Sequence, residues 1–336
     1  MELILKNKKN RQEKMKQKKA LVLGAGGFIG GYMVDRLKSE NYFVRAVDIK
    51  NPQFSKTTAD EFILKDLRNL QDVENSLDIN DGFDEVYQFS ADMGGATYIN
   101  CGQNDANVLS NSVTINSNVA KSCIKKSAKL IFFPSSACVY RATNNIASCV
   151  EEEVYPAFPD NEYGWEKLFS ERMYKSFQEN YGINVKIARF HSIVGPKATW
   201  TGGKEKAHSA LIRKVIEVEE NKSIDVIGDG TQTRTFLYVE DCIDAVRELV
   251  NSNVNEVVNI GSDVLISINE YIELLRIISK KKFSINYIDG PTGVIGRACS
   301  TEKIFKTIGW KQKVDLLETT TLTYNWIKSQ MEEIKI

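Results

Sequence analysis

The stretch Lys19-Ala20-Leu21-Val22-Leu23-Gly24-Ala25-Gly26-Gly27-Phe28-Ile29-Gly30 decides the fold. Its first five residues form an apolar run, the pattern of a parallel strand buried on both faces. Gly24, Gly27 and Gly30 then give GxxGxxG and open an amphipathic run that continues to Leu37. In such a turn the first glycine permits the bend, the second lets the backbone approach a pyrophosphate, and the third lets helix pack on strand. The helix start at Phe28 and Ile29 offers free N–H groups and the positive end of the helix dipole to phosphate. Asp48 closes the next predicted strand, 24 residues beyond Gly24, where a carboxylate accepts a hydrogen bond from an adenosine ribose 2′-hydroxyl. An acid there repels a 2′-phosphate, so the expected cofactor is NAD rather than NADP, with Lys50 a small counterweight. Asp66, after the third strand, has two possible roles: capping a turn or meeting the adenine.

Outward from this unit, strands are predicted at Phe43 to Asp48, Phe62 to Lys65, Asp84 to Phe89, Lys129 to Phe133 and Val185 to Phe190. Helices are predicted over 105–127 and 161–180. Short apolar runs alternating with amphipathic ones predict the α/β class, with a Rossmann-type doubly wound parallel sheet. Beyond about residue 190, Gly195-Pro196, Gly202-Gly203 and Gly228-Asp229-Gly230 break the chain into shorter pieces, as expected of a smaller substrate-binding part. Phe236 to Tyr238 and Val257 to Ile260 read as a return to the sheet. The expected division is therefore interleaved: an NAD-binding domain over 18–190 with 234–262, and a substrate domain over 191–233 with 263–336, ending in a helix over 315–333.

At 336 residues, with 42% hydrophobic and 26% charged content, the chain has the composition of a globular protein and not of a disordered one. No apolar run is long enough for a membrane helix, and the start lacks a secretory pattern, so the cytoplasm is the expected location and no membrane contact is expected. Charge balances at 44 basic against 44 acidic residues, but residues 1–19 hold eight of the basic and two of the acidic, leaving the rest at −6. A body of that sign has little attraction for nucleic acid, and the basic segment 1–17, with no aromatic interleaving, reads as a solvated tail. Six cysteines (Cys101, Cys123, Cys138, Cys149, Cys242, Cys299) without a CxxC pair, and only His191 and His208, predict neither metal nor disulfide.

Tyr163 and Lys167 lie four apart at the start of a predicted helix and share one face. An ammonium there lowers the pKa of a phenol toward the range a general base needs and can hold the nicotinamide ribose. Ser135-Ser136-Ala137-Cys138 stands at the carboxyl end of a strand, where open α/β sheets place ligands, and Ser136 can orient a substrate hydroxyl against Tyr163. Glycine turn, Asp48, strand-end serine and YxxxK, in this order, resemble the extended short-chain dehydrogenase/reductase family from about residue 18 to the C-terminus. The resemblance implies a Rossmann sheet, tightly held NAD, a nucleotide-sugar substrate and a homodimer formed through helices 105–127 and 161–180.

Several longer runs are similar to the branch of this family that epimerises GDP-mannose-type sugars at C3 and C5. They are Ala91 to Gly95, Ser135 to Tyr140, Arg189 to His191, Gly202 to Ala207, Gly228 to Arg234 and Val258 to Asp263. That likeness implies Cys138 and Lys206 as the acid/base pair flanking the sugar, in an order the sequence leaves open. It implies substrate contacts at Gly94, Ser136, Ala137, Cys138, Ser192, Glu205, Lys206, Ala207, Lys214, Gln232, Thr233, Arg234 and Arg297. Ser192 replaces the asparagine usual in that branch and Arg141 the proline after Val139-Tyr140, so mannose and a heptose both stay open. His191 is expected to be structural. The rival expectations are a GDP-sugar C4 oxidase and a non-catalytic NAD-binding regulator.

Overall fold

In the computed structural model, which describes residues 17–100, 102–141, 147–290 and 294–334, the strand beginning at Lys19 lies inside a seven-stranded parallel sheet. We number its strands β1 (Lys19–Leu23), β2 (Phe43–Asp48), β3 (Glu61–Leu64), β4 (Glu85–Gln88), β5 (Leu130–Ser136), β6 (Asn184–Phe190) and β7 (Val258–Ile260). In space they run β7-β6-β5-β4-β1-β2-β3. The succession β1 to β3 moves one way across the sheet and β4 onward the other. The order therefore reverses between β1 and β4, and the carboxyl ends of these two strands flank the crevice where such sheets bind ligands.

The period of two along β1 explains the layers. Ala20 and Val22 point into a core with Met33, Val34 and Leu37 of helix α1 (Phe28–Ser39). Leu21 and Leu23 point into the opposite core, with Ile115 and Val119 of α2 (Asp105–Lys125) and Tyr174 of α3 (Glu162–Tyr181). Helix α3 begins at Asn161, whose side chain accepts from Gly164 N at 2.8 Å, and ends on Gly182 in the left-handed region.

The expected strands and helices are present with ends moved by at most three residues. Two features differ from expectation. Leu237–Tyr238 pairs with Ile193–Val194 in a small separate sheet, so of the two segments expected to return to the central sheet only the second does, as β7 beside β6. Helix α5 (Val239–Asn251) follows this pairing and leads back to the central sheet, adding Val246 and Leu249 to the α1 side. Ile304 and Trp310, in the stretch expected to belong to the substrate part, are also buried in that core.

A further core is built from Trp200, Leu211, Ile212, Phe236, Tyr271, Ile272 and Ile327. It includes helix α4 (Ala207–Glu217), helix α6 (Ile268–Ser279) and the terminal helix α7 (Leu316–Ile334). The segment after β2 crosses to it: Phe54 meets Trp326 of α7 edge to face, 5.0 Å between ring centres. The basic segment, up to residue 16, and Cys101 lie outside the described residues, as does Gly293. No helix among the described residues is long and apolar enough to cross a membrane.

Candidate active site

The glycine turn is held against the sheet by backbone: Gly24 N donates to Val47 O at 2.8 Å, with Gly24 at φ +81°, where a side chain would be strained. A Cβ on Gly30 would stand 2.2 Å from Gly24 O, so the start of α1 seats directly on the turn. Gly27 precedes Phe28 and Ile29 as the cap of α1, and no side chain covers the first N–H groups. Asp48 is fixed at the mouth of this turn, accepting from Gly26 N at 2.9 Å and from Lys50 N at 3.1 Å. Of the two roles the sequence allows Asp66, the structure shows the first. It accepts from Arg68 N at 3.0 Å and ion-pairs with the Arg68 guanidinium at 2.6 Å, an association that holds its carboxyl below the usual range.

Across the crevice, β5 ends on Ser136, whose hydroxyl caps a single 3₁₀ turn by accepting from Cys138 N at 3.2 Å. That turn sets Ala137 and Cys138 at the strand end. Tyr163 and Lys167 arrive from the first turns of α3, both buried. Gly164 permits the approach, since a Cβ there would lie 2.2 Å from Cys138 O. The Ser136 hydroxyl lies near enough to the Tyr163 phenol to favour its ionisation, and the Lys167 ammonium sits 5.5 Å from the Tyr163 ring centre and 4.8 Å from that of Phe133. The sequence predicts a phenol drawn down by Lys167. Instead the Tyr163 phenol is pushed up, first by burial and then by Cys138 and Glu166, with only the Ser136 hydroxyl opposing. Loss of water around the phenol, with a carboxylate one turn away, disfavours the phenolate.

Lys206 caps α4 and is partly buried. Burial pushes its ammonium below the ordinary lysine value, while Cys138 and Cys242 pull it the other way. Gly95 N donates to Lys204 O at 3.0 Å, tying the Gly94 segment to the Glu205–Lys206 segment. Arg297 also approaches Cys138: Nη1 is 4.0 Å from Sγ, and Nη2 donates to Asp160 Oδ1 at 2.9 Å and Tyr140 O at 3.1 Å. Cys138 is thus the common neighbour of Tyr163, Lys206 and Arg297, near enough for its charge to act on each of them.

Arg234 is close enough to Arg297 for the two cations to repel, and this, after burial, lowers the pKa of Arg234. Its Nη1 donates to Thr233 O at 2.7 Å and Val294 O at 3.0 Å. Beside it, Gln232 Oε1 and Thr233 Oγ1 are buried with no hydrogen-bond partner among the described residues. Two like charges next to unpaired polar atoms suit an anionic, hydrogen-bonding ligand. Other expected contacts lie further round. Lys214 donates to Asp225 O at 2.6 Å, Glu205 accepts from Gly203 N at 2.6 Å and faces Arg213 at 3.6 Å, Ala207 is exposed at the first turn of α4, and Ser192 O accepts from Leu237 N at 3.1 Å.

His191 is buried, 3.3 Å from Asn259 Oδ1, and burial brings it down to about 4, the structural role expected of it. Two groups behind the site were not singled out from sequence. Glu171 takes a two-point ion pair from Arg189 at 2.9 and 2.8 Å and a hydrogen bond from Ser135 at 2.5 Å. Glu166 joins Asn116 and Ser170. A hint of the second was available: Ser112, Asn116, Val119 and Cys123 share one buried face of α2, an apolar stripe interrupted by polar residues.

NAD fits these residues on two observations: the glycine turn approached by Asp48, and the buried Lys167 ammonium, for which no hydrogen-bond acceptor is found among the described residues. The profile of the NAD dependent epimerase/dehydratase family matches residues 20–261, and the chain belongs to that family of NAD-dependent enzymes. Among characterised proteins it is similar to GDP-mannose 3,5-epimerase of Arabidopsis thaliana, 38% identical over 324 residues, 94% of this chain and 84% of that one. GDP-mannose 3,5-epimerase 1 of Oryza sativa subsp. japonica is 36% identical over 319 residues, 94% of this chain and 82% of that one. Among solved structures, UDP-glucose 4-epimerase of Thermotoga maritima shares the fold, with a TM-score of 0.83 at 22% identity over 93% of this chain and 99% of that one.

Proposed function

We propose that the protein is a GDP-sugar epimerase that inverts C3, C5 or both in a mannose-type sugar through a transient 4-ketone. The observation that carries this reading is the place of Cys138 at the strand end as common neighbour of Tyr163 and Lys206, with Arg297 against the thiol. When bound, NAD supplies the acceptor and later the donor for the hydrogen on C4. Ser136 orients the C4 hydroxyl, and Tyr163 takes its proton as the phenolate that the Lys167 ammonium and the positive charge of bound NAD would favour against the burial that pushes the phenol up. The ketone makes the hydrogens on C3 and C5 acidic. One of Cys138 and Lys206 removes such a proton and the other returns one from the opposite face. A lysine whose ammonium is pushed down by burial exchanges protons more readily than a solvated one. Arg234, Arg297, Gln232 and Thr233 take the diphosphate and its neighbours, with Gly94, Ala137, Ser192, Glu205, Ala207 and Lys214 completing the sugar-nucleotide contacts. Gly24, Gly27, Phe28, Ile29, Gly30 and Asp48 hold the dinucleotide, and Asp66 closes the turn beside it.

We assign residues 18–190 with 234–262 to the NAD-binding part and 191–233 with 263–336 to the substrate part, the segment around Ile304 and Trp310 docking back on the first. Trp165 and Phe169 stand one turn apart on α3 and are 40% and 51% exposed, which supports a homodimer through α2 and α3. The working location is the cytoplasm. The test is NMR of the purified protein in D₂O with GDP-mannose and with GDP-manno-heptose, without added cofactor. Deuterium at C3 or C5 together with a new sugar supports the reading. Stoichiometric NADH without exchange would replace it with a C4 oxidase.

A further inference from the structure

Lys167 is a buried ammonium, and its surroundings are unusually poor in acceptors. Two aromatic rings cover it, and the nearest carboxylate oxygen is Glu166 Oε2 at 3.7 Å. Glu166 is itself fully buried. Its two oxygens are treated differently. Oε1 accepts from Asn116 Nδ2 at 2.8 Å and from Ser170 Oγ at 2.8 Å. Oε2 has no hydrogen-bond donor among the described residues and faces only the lysine. Asn116 is anchored in turn, accepting from Gln88 Nε2 at 3.0 Å and from the Tyr174 hydroxyl at 3.1 Å. A chain of fixed contacts thus runs from β4 through α2 to one carboxylate, and that carboxylate ends on the lysine.

A buried carboxylate is costly unless paired. Here two neutral partners, Asn116 and Ser170, hold one end while the other is left for a cation. We propose that Glu166 is a positioning residue for Lys167, a buried counter-charge that fixes the ammonium in place and keeps it charged while it holds the cofactor. The inference rests on the placement of Lys167 at the nicotinamide ribose given under Proposed function. Other ionisable groups near Glu166 are Tyr163 and Tyr174 on the same helix, with Cys138 of the strand-end turn beyond the first and Cys123 of α2 beyond the second. Glu171, on the next residue after Ser170, is spent on Arg189. None of these supplies a second negative charge to Lys167.

The test is a fluorescence titration with NADH of the full-length protein freed of nucleotide, from pH 6 to pH 10.5, on wild type, Glu166→Gln, Glu166→Asp and Lys167→Met. Glutamine keeps an amide oxygen for Asn116 and Ser170 but removes the charge. The alkaline midpoint at which NADH affinity falls is expected to move down by at least about one pH unit in Glu166→Gln, since an opposite charge at this range shifts a titration by about 1–3 units. Glu166→Asp is expected to return most of that shift, and Lys167→Met to bind weakly with no alkaline midpoint. A Glu166→Gln midpoint equal to wild type, with Lys167→Met weak, overturns the inference alone. Lys167→Met binding as tightly as wild type overturns the placement of Lys167 on which it rests. A Glu166 that only packed the helices would lower melting temperature without moving the midpoint.

Discussion

Replacing Gly164 by alanine tests whether the seat of α3 on the strand-end turn sets catalysis. The added Cβ would lie 2.2 Å from Cys138 O and 2.9 Å from Cys138 C and Pro159 Cβ. Two of these neighbours are backbone atoms, which cannot swing away as a side-chain end could. Ordinary contact begins near 3.4 Å, so the helix start and the Cys138 turn must part by about 1.2 Å. Tyr163 precedes Gly164 on that helix, and Cys138 is the residue pushed, so the separation falls on the two groups meant to act on one sugar ring. A misplacement of about 1 Å costs on the order of 100-fold in rate, and overpacking costs about 1–3 kcal/mol in stability. The assay is deuterium incorporation into saturating GDP-mannose followed by NMR, with a urea melt on the same preparation. We expect turnover to drop about 100-fold while the sugar KM changes little. A Gly164→Ala protein within threefold of wild-type turnover, whatever its stability, would refute the reasoning.

Four further outcomes are expected. Cys138→Ser and Lys206→Met should each slow exchange at C3 and C5 by about 10²–10⁴-fold while enzyme-bound NADH still forms on mixing with sugar, as seen at 340 nm; unchanged exchange in either would remove that residue from the pair. Arg189→Leu should destabilise by about 3–5 kcal/mol, because it strands the buried Glu171 carboxylate, and the double variant Arg189→Leu/Glu171→Leu should recover part of that in urea melts. His191 and His208 are brought by burial to about 4 and about 3, below the 6.5 of an open histidine. The unfolded chain therefore binds more protons, and stability should fall as pH drops from about 6.5 toward those values, by up to about 1.4 kcal/mol per pH unit for each histidine; a His208→Gln protein melting with the wild-type slope over that window would contradict this. Trp165→Asp should shift the sedimenting species from dimer to monomer without unfolding it.

The sheet was legible because β1 and β5 are buried along nearly their whole length and so carry the apolar runs Ala20 to Leu23 and Leu130 to Phe133, which need no context. Glycine turn and Asp48 were legible for a similar reason: backbone and one carboxylate make the site, at a spacing set by a single βαβ unit. The position of Phe236 to Tyr238 was not. Three apolar residues look alike whether they join a seven-stranded sheet or a two-stranded one, and the choice depends on the crossing made by α5. The raised phenol of Tyr163 was hidden too, because it depends first on burial and then on Cys138 and Glu166, and neither the burial nor the nearness of Cys138 can be read from the YxxxK spacing. Spacing shows which side chains share a helix face, but not what the opposing helix brings.

The late arrival of β7 has a meaning for synthesis. Strand β6 is finished at residue 190, yet its outer neighbour is made from residues 258–260, after most of a second core has been spun out. A growing chain therefore carries β6 as a naked sheet edge, its N–H and C=O groups open to any passing strand, until some seventy more residues have been translated. Neither core can be completed on the ribosome before the other has begun. The mature protein should accordingly unfold in one transition, and chains cut between residues 190 and 257 should be recovered as aggregates and not as a working dinucleotide-binding fragment.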